Sequence, residues 1–503
     1  MLWKGIKRNK FYNYIEKICY LWYNSMQGRD RMKVRTRYAP SPTGFMHIGN
    51  LRTAIFEYLL ARKYDGDFIL RIEDTDQTRE VPGAIDFIYD TLKLCNFKID
   101  EGPNNPGNYG PYIQSERKDI YKKYALELIE KGKAYYCFCT EEELQKDREL
   151  CEKQGRPYSY DGKCSRLLKS EIEEKLNSGI PYVIRQKMPR YGITEVNDLL
   201  YGKIKIDNSL LEDQILLKSD GYPTYNFANV IDDHLMEITH VVRGKEYLDQ
   251  TAKYNLLYEA FGWEKPTYIH VAMVLGEDGN KLSKRNGDAS FMDLYNDGYL
   301  PSAIVNYLAF LGWSPESNQE IFTMDELIKE FNPERISKSS SQYDVKKLRW
   351  INSHYIKNLS IDELYELTYK HLNEAYDLSD KSLEWVKDLI SLYQGELKYG
   401  KEIVELVSLF FNEYSISEDA KEFMDSNDVS NTIKVFYDEV KDIDWTVENI
   451  STAINNTKEK ANVKGKMLYM PIRIKSTGIM HGPELDKTLY LLGKDKVLSN
   501  LTK

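Results

Sequence analysis

The feature that most restricts the fold of this chain is a proline- and glycine-rich turn between two regular patterns. Residues 33–38 have the composition of a short strand, and residues 40–44 then read PSPTG. Beyond the turn, apolar residues recur at helical spacing: Leu51, Ile55, Tyr58 and Leu59. Because proline and glycine interrupt regular structure, the pattern predicts strand, turn and helix, followed by a second strand at residues 67–72.

A run of carboxylates follows this second predicted strand. Residues 73–76 read EDTD, so they would lie at the carboxyl end of a parallel strand, where open α/β sheets bind ligands. Sheet-like sequence returns much later in three segments, GYPTYNFANVIDDH, ITHVVRGKEYL and YIHVAMVLG. The predicted fold class is therefore α/β, with an interrupted Rossmann-type doubly wound parallel sheet.

The interruption lies between residues 114 and 220, where the sequence changes in character. A predicted helix at 116–131, four of the six cysteines and a strand-like PYVIRQKM indicate an inserted α+β domain. Beyond residue 352 helical patterns dominate, which predicts an all-α C-terminal region. The predicted parts are an N-terminal extension outside the fold (1–31), a sheet domain (32–113 and 221–280), the inserted domain (114–220), a region that begins with a lysine-rich loop (281–352) and a helical region (353–503).

Charge and cysteine content exclude several classes of protein. The net charge of -9 argues against a chain that coats nucleic acid non-specifically, since such proteins carry a basic excess. No apolar run reaches about 18 residues, the length that spans a bilayer, so no membrane role is expected. Six cysteines in 503 residues do not suit a secreted disulfide framework, which predicts a reduced, cytoplasmic location. Residues 1–31 contain few acids, so a targeting segment is the alternative there.

Two short motifs have residues that could bind the phosphate groups of a nucleotide. Residues 47–50 (HIGN) open the first predicted helix, whose N-terminal N–H groups and partial positive charge can hold phosphate oxygens. In KLSKRNG, the cations Lys281, Lys284 and Arg285 could neutralise a pyrophosphate leaving group. Taken singly, the first could be a capped turn with a structural histidine and the second a solvated loop.

Together the two motifs resemble the HIGH and KMSKS signatures of class I aminoacyl-tRNA synthetases. Four longer blocks are similar to bacterial-type glutamyl-tRNA synthetases: RYAPSPTGFMHIGNLRTA, LRIEDTDQTR, SDGYPTYNFANVIDDHLMEITHVVRGKEYL and KLSKRNG. The resemblance runs from about residue 33 to the C-terminus. It implies a glutamate-tRNA ligase, in which ATP and glutamate form glutamyl-adenylate and the 2′-OH of the terminal adenosine of tRNA(Glu) then takes the glutamyl group.

The resemblance also implies roles for individual residues in the activation step. The residues that would stabilise the pentacovalent phosphorus and the departing pyrophosphate are His47, Lys281 and Lys284. Those that would contact ATP are His47, Gly49, Asn50 and Lys284. Mg²⁺ would neutralise phosphate charge and need not have a dedicated protein site.

For the amino acid, the resemblance implies a site built from Arg37, Ser41, Glu73, Tyr225 and Arg243. Glu73 would take the α-ammonium group. The planar fork of an arginine suits the substrate's side-chain carboxylate, so Arg37 and Arg243 are the candidates for that contact. The alternative for Arg243 is a structural ion pair with Asp232, Asp233 or Glu246.

The cysteines of the inserted domain suggest a metal site. Structural zinc prefers four soft or imidazole ligands in a tetrahedron. In zinc-binding members of the family, the fourth ligand is a histidine two residues after the last cysteine or a tyrosine four residues before it. Here the first position holds Arg166 and the second holds Tyr160. The predicted zinc ligands are Cys137, Cys139, Tyr160 and Cys164. A role for Cys151 as fourth ligand and a set of buried free cysteines are the alternatives.

Contacts with tRNA are expected in more than one region. Residues 337–350 (SKSSSQYDVKKLRW) combine hydroxyls and aromatics with basic residues, which suits phosphate contact and stacking. The basic residues are Lys338, Lys346, Lys347 and Arg349. A solvated helix face is the alternative. The resemblance places the acceptor end on the inserted domain and the anticodon on the helical region, where the candidates are Lys464, Lys466 and Arg473.

Other functions fit parts of the pattern. The enzyme could also charge tRNA(Gln) with glutamate. A glutaminyl-tRNA synthetase normally has a β-barrel C-terminal region, whereas this region is predicted to be helical. The truncated paralogue that glutamylates a modified base lacks the C-terminal third that is present here. Other nucleotidylyl transferases are small single domains, unlike this chain. A decayed tRNA-binding paralogue is opposed by the presence of His47, Glu73, Arg243 and Lys284. The expected partners are tRNA(Glu), glutamate and ATP, and the expected state is a monomer.

Overall fold

The structure is a computed structural model that describes residues 33–44, 46–79, 81–280, 282 and 290–503. The predicted extension at 1–31 lies outside the described residues, as do Lys281, Lys284 and Arg285. The described α-helices are α1 (Ile48–Lys63), α2 (Ala84–Leu94), α3 (Lys118–Glu130), α4 (Glu141–Lys153), α5 (Lys169–Asn177), α6 (Tyr225–Leu235), α7 (Thr251–Phe261), α8 (Phe291–Asn296), α9 (Pro301–Phe310), α10 (Met324–Glu330), α11 (Val345–Ile356), α12 (Ile361–Ala375), α13 (Leu383–Tyr393), α14 (Ile403–Leu406), α15 (Ser408–Phe411), α16 (Glu418–Asp425), α17 (Ser430–Val440), α18 (Val447–Lys460), α19 (Lys466–Thr477), α20 (Leu485–Leu492) and α21 (Lys494–Thr502).

The described strands are β1 (Arg35–Tyr38), β2 (Asp67–Leu70), β3 (Ala134–Cys137), β4 (Val183–Gln186), β5 (Ile193–Asp198), β6 (Gly202–Asp207), β7 (Ile215–Leu217), β8 (His240–Gly244), β9 (Thr267–Val271), β10 (Val274–Leu275) and β11 (Ser341–Gln342). The described residues form two compact units. The first extends to Met273 and includes residues 312–317 and 325–341, and the second contains residues 274–311, 318–324 and 342–503.

The predicted strand, turn and helix form the start of the first unit. Strands β1 and β2 pair in parallel, from Arg35 opposite Asp67 to Tyr38 opposite Leu70, and α1 connects them. The apolar residues that gave the helical pattern are all buried: Leu51, Ile55, Tyr58 and Leu59. A parallel pair joined by a helix is the basic repeat of a doubly wound sheet.

The later part of the first unit supplies the other parallel strands. A second sheet has the strand order β6-β5-β9-β8, in which β8 and β9 are parallel. Thr239 joins the two halves, because its N–H donates to the carbonyl of Arg35 and its own carbonyl accepts from Thr267. The interrupted α/β arrangement predicted from the sequence is therefore confirmed.

One predicted element is wrong and one was not anticipated. The segment GYPTYNFANVIDDH forms helix α6 instead of a strand. Its buried residues Phe227, Ala228, Val230 and Ile231 have helical spacing, and its β-branched residues misled the strand prediction. The unanticipated element is the antiparallel hairpin of β5 and β6, which joins β9 through Asp198 opposite Tyr268.

The remainder of the interrupting segment has its own small sheet. Strand β4 pairs in antiparallel fashion with β3 on one side and β7 on the other. Helix α3 packs against these strands through Tyr121, Ala125 and Leu128. The predicted mixture of helix and sheet is confirmed, whereas the predicted domain boundaries stay predictions.

The C-terminal part of the second unit is helical, as predicted. Among the described residues from 343 to 503 the regular elements are all helices, and they surround an apolar core that includes Leu389, Phe436 and Leu489. Within the described part of the chain, no helix combines the length and the apolar character needed to cross a membrane.

The tight connection between α1 and β2 provides a test of the packing. A Cβ on Gly66 would lie 2.1 Å from the carbonyl oxygen of Val34, whereas nothing lies within 4 Å of a Cβ on Gly395. We expect Gly66→Ala to lower the free energy of unfolding by about 1–3 kcal/mol through overpacking. The measurement is the urea midpoint, with Gly395→Ala as control; equal midpoints for the two variants would contradict this account.

Candidate active site

The turn after β1 places His47 at the start of a helix. The turn is held to the next strand end because Glu73 N–H donates to the Pro40 carbonyl at 3.0 Å. His47 is the N-cap of α1, and its Nδ1 accepts from the N–H of Gly49 at 3.1 Å. Since Nδ1 accepts, the proton of the neutral ring is on Nε2. The ring is therefore oriented by the backbone, with an N–H at its far end.

The surroundings of His47 suit a phosphate. Ser41 and Asn50 are exposed, and His47 and Gly49 are partly exposed. A Cβ on residue 49 would lie 3.2 Å from the Nδ1 of His47, so glycine leaves the histidine room to cap the helix. Backbone N–H groups at a helix start attract anions.

Beneath the turn lies a buried network of charged side chains. It contains three guanidinium groups and four carboxyl groups: Arg37, Arg71 and Arg117 with Glu57, Glu73, Asp232 and Asp233. Asp233 accepts from Arg37 at 3.0 Å and from Arg71 at 2.7 Å. Arg71 also donates to Glu73 at 3.0 Å. Arg37 and Glu73, both predicted from the sequence, are thus connected through Arg71 and Asp233.

The pKa values of Asp233 and of the two glutamates in this network are shifted in opposite directions. Burial alone would raise the pKa of Asp233, but the charges of Arg37 and Arg71 lower it. Burial raises the pKa of Glu57 and of Glu73 despite their arginine neighbours. Both glutamates also have a buried Oε2 without a hydrogen-bond partner among the described residues. The network therefore has more carboxyl oxygens than its own arginines satisfy.

Tyr225 lies near both Glu73 and Arg243. Tyr225 begins α6, and its pKa is raised by burial and by the nearby charge of Glu73. The rings of Tyr225 and Tyr247 are 5.6 Å apart, and the Arg243 guanidinium carbon is 5.6 Å from the Tyr247 ring. The structure thus brings Glu73, Tyr225 and Arg243 into one neighbourhood.

Arg243 is a buried cation without a carboxylate partner among the described residues. Its side chain donates to two neutral acceptors, His270 Nε2 at 3.1 Å and Thr251 Oγ1 at 2.7 Å. Tyr254 and Tyr268 also face it, with their rings 4.6 and 5.3 Å from the guanidinium carbon. The structural ion pair with Asp232, Asp233 or Glu246 that we considered from the sequence is not formed.

The predicted zinc ligands come together in the first unit. The sulfur atoms of Cys137, Cys139 and Cys164 lie within 4.8 Å of one another, with 3.5 Å between those of Cys139 and Cys164. The hydroxyl of Tyr160 is 3.3 Å from the sulfurs of Cys137 and Cys139. A tetrahedral zinc with bonds of about 2.3 Å to sulfur would hold sulfur atoms roughly 3.8 Å apart. The four groups are therefore near enough to one another to be ligands of one zinc ion.

Arg185 adds a positive charge to this cluster. It donates to Cys137 Sγ at 3.4 Å, and its guanidinium carbon lies 4.2 Å from the centre of the Tyr160 ring. Hydrogen bonds from Cys164, Tyr160 and Arg185 lower the pKa of the Cys137 thiol although burial opposes them. A lowered pKa favours the thiolate at Cys137, the form that binds metals, whereas burial raises the pKa of Cys139. Arg166, at the position of the alternative histidine ligand, is exposed and bonds to Asp161.

The basic residues predicted to contact tRNA are divided between the two units. Lys338 belongs to the first unit, where its side chain is exposed. The other three lie on α11 in the second: Lys346, Lys347 and Arg349. Lys347 pairs with Glu320 at 2.7 Å, and Arg349 donates to the Tyr299 hydroxyl at 3.3 Å. Lys346 is exposed.

The anticodon candidates on the helical region also differ in exposure. Lys464 and Lys466 are exposed. Arg473 is partly buried and donates to the Pro483 carbonyl at 2.6 Å. Burial lowers its pKa.

Several residues around the candidate amino-acid site were not identified from the sequence. They are Glu57, Arg71, Asp198 and His270. Glu57, Arg71 and His270 each stand between two apolar residues in the sequence, and a polar residue in such surroundings is the one signal that could have marked them. Asp198 has no such signal.

Comparison with known proteins agrees with the geometry. Residues 33–350 match the family described as "tRNA synthetases class I (E and Q), catalytic domain", and residues 363–503 match "Anticodon binding domain". The glutamate-tRNA ligase of Clostridium novyi (strain NT) is 49% identical over 457 residues, 90% of this chain and 93% of that protein. The glutamate-tRNA ligase of Clostridium tetani is 47% identical over 475 residues, 93% and 96% of the two chains.

Solved structures show the same relationship. A crystal structure of a glutamate tRNA ligase from Elizabethkingia meningosepticum, in complex with its amino acid, has a TM-score of 0.84 at 35% identity and covers 93% of this chain and 98% of that one. A glutamate-tRNA synthetase from Elizabethkingia anophelis has a TM-score of 0.85, also at 35% identity, with 93% and 99% covered. The identities over nearly full length are high enough to define the family, and the chain belongs to the glutamate-tRNA ligases, which are class I aminoacyl-tRNA synthetases.

Proposed function

We propose that this chain activates glutamate with ATP, forms glutamyl-adenylate, and transfers the glutamyl group to the 2′-OH of the terminal adenosine of tRNA(Glu). The observation that carries the choice of amino acid is Arg243, a buried guanidinium that is bonded to neutral groups. A buried charge is costly unless it is paired. A substrate carboxylate would supply the missing partner, and the planar fork of arginine suits that group.

The α-ammonium group of the amino acid would fit Glu73. The buried Oε2 of this residue has no described hydrogen-bond partner, and an α-ammonium group would donate to it. Tyr225 is close enough to Glu73 and to Arg243 for both charges to act on its pKa. Arg37 uses Nε and Nη1 for Asp233 and Glu57, which leaves Nη2 for the substrate, and Ser41 lies on the exposed side of the turn.

The reaction needs the α-carboxylate of glutamate to attack the α-phosphorus of ATP while pyrophosphate leaves. The Nε2–H of His47, with the helix start at Gly49 and Asn50, would hold phosphate oxygens. Lys281 and Lys284 would neutralise the leaving group by resemblance to the family motif. Mg²⁺ would supply further charge neutralisation on the phosphates. No side chain has to act as a nucleophile.

The other proposed sites serve binding and structure. Cys137, Cys139, Tyr160 and Cys164 would hold a structural zinc that fixes the loop after β3. The interrupting segment would receive the acceptor end of the tRNA. Lys338 and Lys346 are the exposed candidates for phosphate contacts, and Lys464 and Lys466 are exposed candidates near the anticodon. The assignment as a monomer and the five-part division of the chain also stay proposals.

Charging assays with Arg243→Gln test the function directly. Wild-type protein should attach labelled glutamate to purified tRNA(Glu) in the presence of ATP. In Arg243→Gln, the KM for glutamate should rise by about two orders of magnitude, because a buried charged contact is lost, while the KM for ATP should stay close to the wild-type value.

Two comparisons sharpen this test. Arg243→Lys keeps the charge without the fork and should fall between wild type and Arg243→Gln. Assays with purified tRNA(Gln) decide whether that tRNA is also charged. Equal changes in the KM values for glutamate and ATP would show that Arg243 does not select the amino acid.

A pair of substitutions separates the two roles of His47. His47→Asn keeps a good N-cap residue but removes the Nε2–H, whereas His47→Ala removes both. We expect each variant to lose about 10²–10³-fold in turnover, the usual cost of one oxyanion-type donor. His47→Ala should in addition lose about 1 kcal/mol of stability. Near-normal turnover in His47→Asn would assign the histidine to capping alone.

Zinc content tests the cysteine cluster. Purified protein should contain about one zinc per chain, and Cys164→Ala should lose it because three ligands hold zinc far less tightly than four. Cys151→Ala is the matched control, since Cys151 is buried but lies outside the cluster, and it should keep its zinc. Metal analysis that finds no zinc in the wild type would disprove the site.

A further inference from the structure

The hydrogen bonds that hold Arg243 continue across three neighbouring strands. Arg243 in β8 is directly opposite His270 in β9, and Asp198 ends β5 on the other side of β9. His270 Nδ1 lies 2.7 Å from Asp198 Oδ2, while its Nε2 lies 3.1 Å from Arg243 Nε. The side chains of Asp198 and His270 are fully buried. They form a chain of contacts that leads from a carboxylate to the guanidinium.

The direction of these hydrogen bonds is fixed by the groups at each end. The Nε of an arginine always carries a hydrogen, so His270 Nε2 must accept. A carboxylate accepts, so His270 Nδ1 must donate to Asp198. The imidazole is therefore the neutral Nδ1–H tautomer. Burial lowers the pKa of His270, as does the neighbouring charge of Arg243, and both keep the ring neutral.

Asp198 is suited to stay ionised in this position. Its Oδ1 accepts from the N–H groups of Leu200 and Tyr201, both at 2.8 Å. Its Oδ2 accepts from the backbone N–H of His270 at 3.0 Å as well as from the ring. Although burial opposes it, these hydrogen bonds lower the pKa of Asp198. The carboxylate is anchored by backbone N–H groups, and it orients the ring in turn.

Thr251 fixes a second nitrogen of the same guanidinium. Its hydroxyl donates to the Tyr247 carbonyl at 2.9 Å, so Oγ1 accepts from Arg243 Nη2 at 2.7 Å. Arginine has five N–H donors in a rigid fork. Two of them are used by His270 and Thr251, which leaves both hydrogens of Nη1 and one of Nη2 for a ligand.

We propose that Asp198 and His270 are positioning residues that set the orientation of the Arg243 guanidinium for the side-chain carboxylate of the amino acid. This inference rests on the glutamate-binding role proposed for Arg243. The histidine acts as a neutral spacer: it accepts from the arginine without neutralising it, so the full positive charge stays available to the substrate. A carboxylate in direct contact with Arg243 would instead compete with the substrate.

Charging assays on three variants test this arrangement. His270→Leu removes the acceptor, and Asp198→Asn allows the amide to donate to Nδ1 and so favours the wrong tautomer. Both should raise the KM for glutamate by roughly 10- to 100-fold, the effect of one hydrogen bond to a charged group, with little change in the KM for ATP. His270→Gln retains an acceptor oxygen and should have a smaller effect.

Asp213→Asn is the matched control for the loss of a buried carboxylate. Asp213 is fully buried and accepts from the Tyr135 hydroxyl at 2.7 Å and from the Met188 N–H at 3.0 Å. It lies outside the contacts of Arg243. The variant should have a lower unfolding temperature and an unchanged KM for glutamate. If it raised that KM as much as Asp198→Asn does, the effect would be structural and the proposal overturned.

A double-mutant cycle links the effect to Arg243. In an Arg243→Gln background, His270→Leu should add little to the KM for glutamate, because the group that it positions is absent. Fully multiplicative effects would overturn the proposal, as would a wild-type KM for glutamate in Asp198→Asn. Arg243→Gln alone reports on the binding role of the arginine, so failure of that role is distinguishable from failure of the positioning residues.

Discussion

The constraint on which the first unit depends is the burial of charge around Asp232 and Asp233. These neighbours on α6 accept from arginines on β1, directly after β2 and just before α3, at distances of 2.7–3.0 Å. A buried ion pair adds little stability by itself, but loss of one partner leaves an uncompensated charge and is strongly destabilising. The network therefore fixes how segments distant in sequence meet. The turn before His47 is attached to it by the hydrogen bond from the Glu73 N–H to the Pro40 carbonyl.

Glu73, which belongs to this network, and Arg243, which lies outside it, together form a neighbourhood that suits an amino acid with an acidic side chain. On one side, Glu73 has a buried oxygen that no described residue satisfies. On the other, Arg243 is a buried cation bonded to neutral acceptors. A glutamate molecule carries an ammonium group for the first and a carboxylate for the second. Specificity for glutamate would then follow because its ammonium group pairs with Glu73 and its side-chain carboxylate pairs with Arg243. Both protein groups are held rigidly before the amino acid binds.

The candidate zinc cluster and the amino-acid site show two uses of arginine. Arg185 contacts Cys137 and Tyr160, and its hydrogen bond joins those of Cys164 and Tyr160 in lowering the pKa of the Cys137 thiol. Arg243 has no carboxylate partner in the described part of the chain, so its charge would remain for a substrate. The difference lies in the partners that the fold supplies, because the side chain is the same in both places.

The sequence by itself determined the strand, turn and helix around HIGN, the parallel sheet and the helical C-terminal region, since proline, glycine and hydrophobic period are local signals. Its ordered motifs named Arg37, Glu73 and Arg243 as candidates through the family resemblance. It misassigned α6 as a strand because the β-branched residues Val230 and Ile231 favour strands. Only the tertiary structure decided that Arg37 is engaged by carboxylates while Arg243 is held by His270. That distinction depends on which side chains meet across separate strands, and no local pattern encodes it.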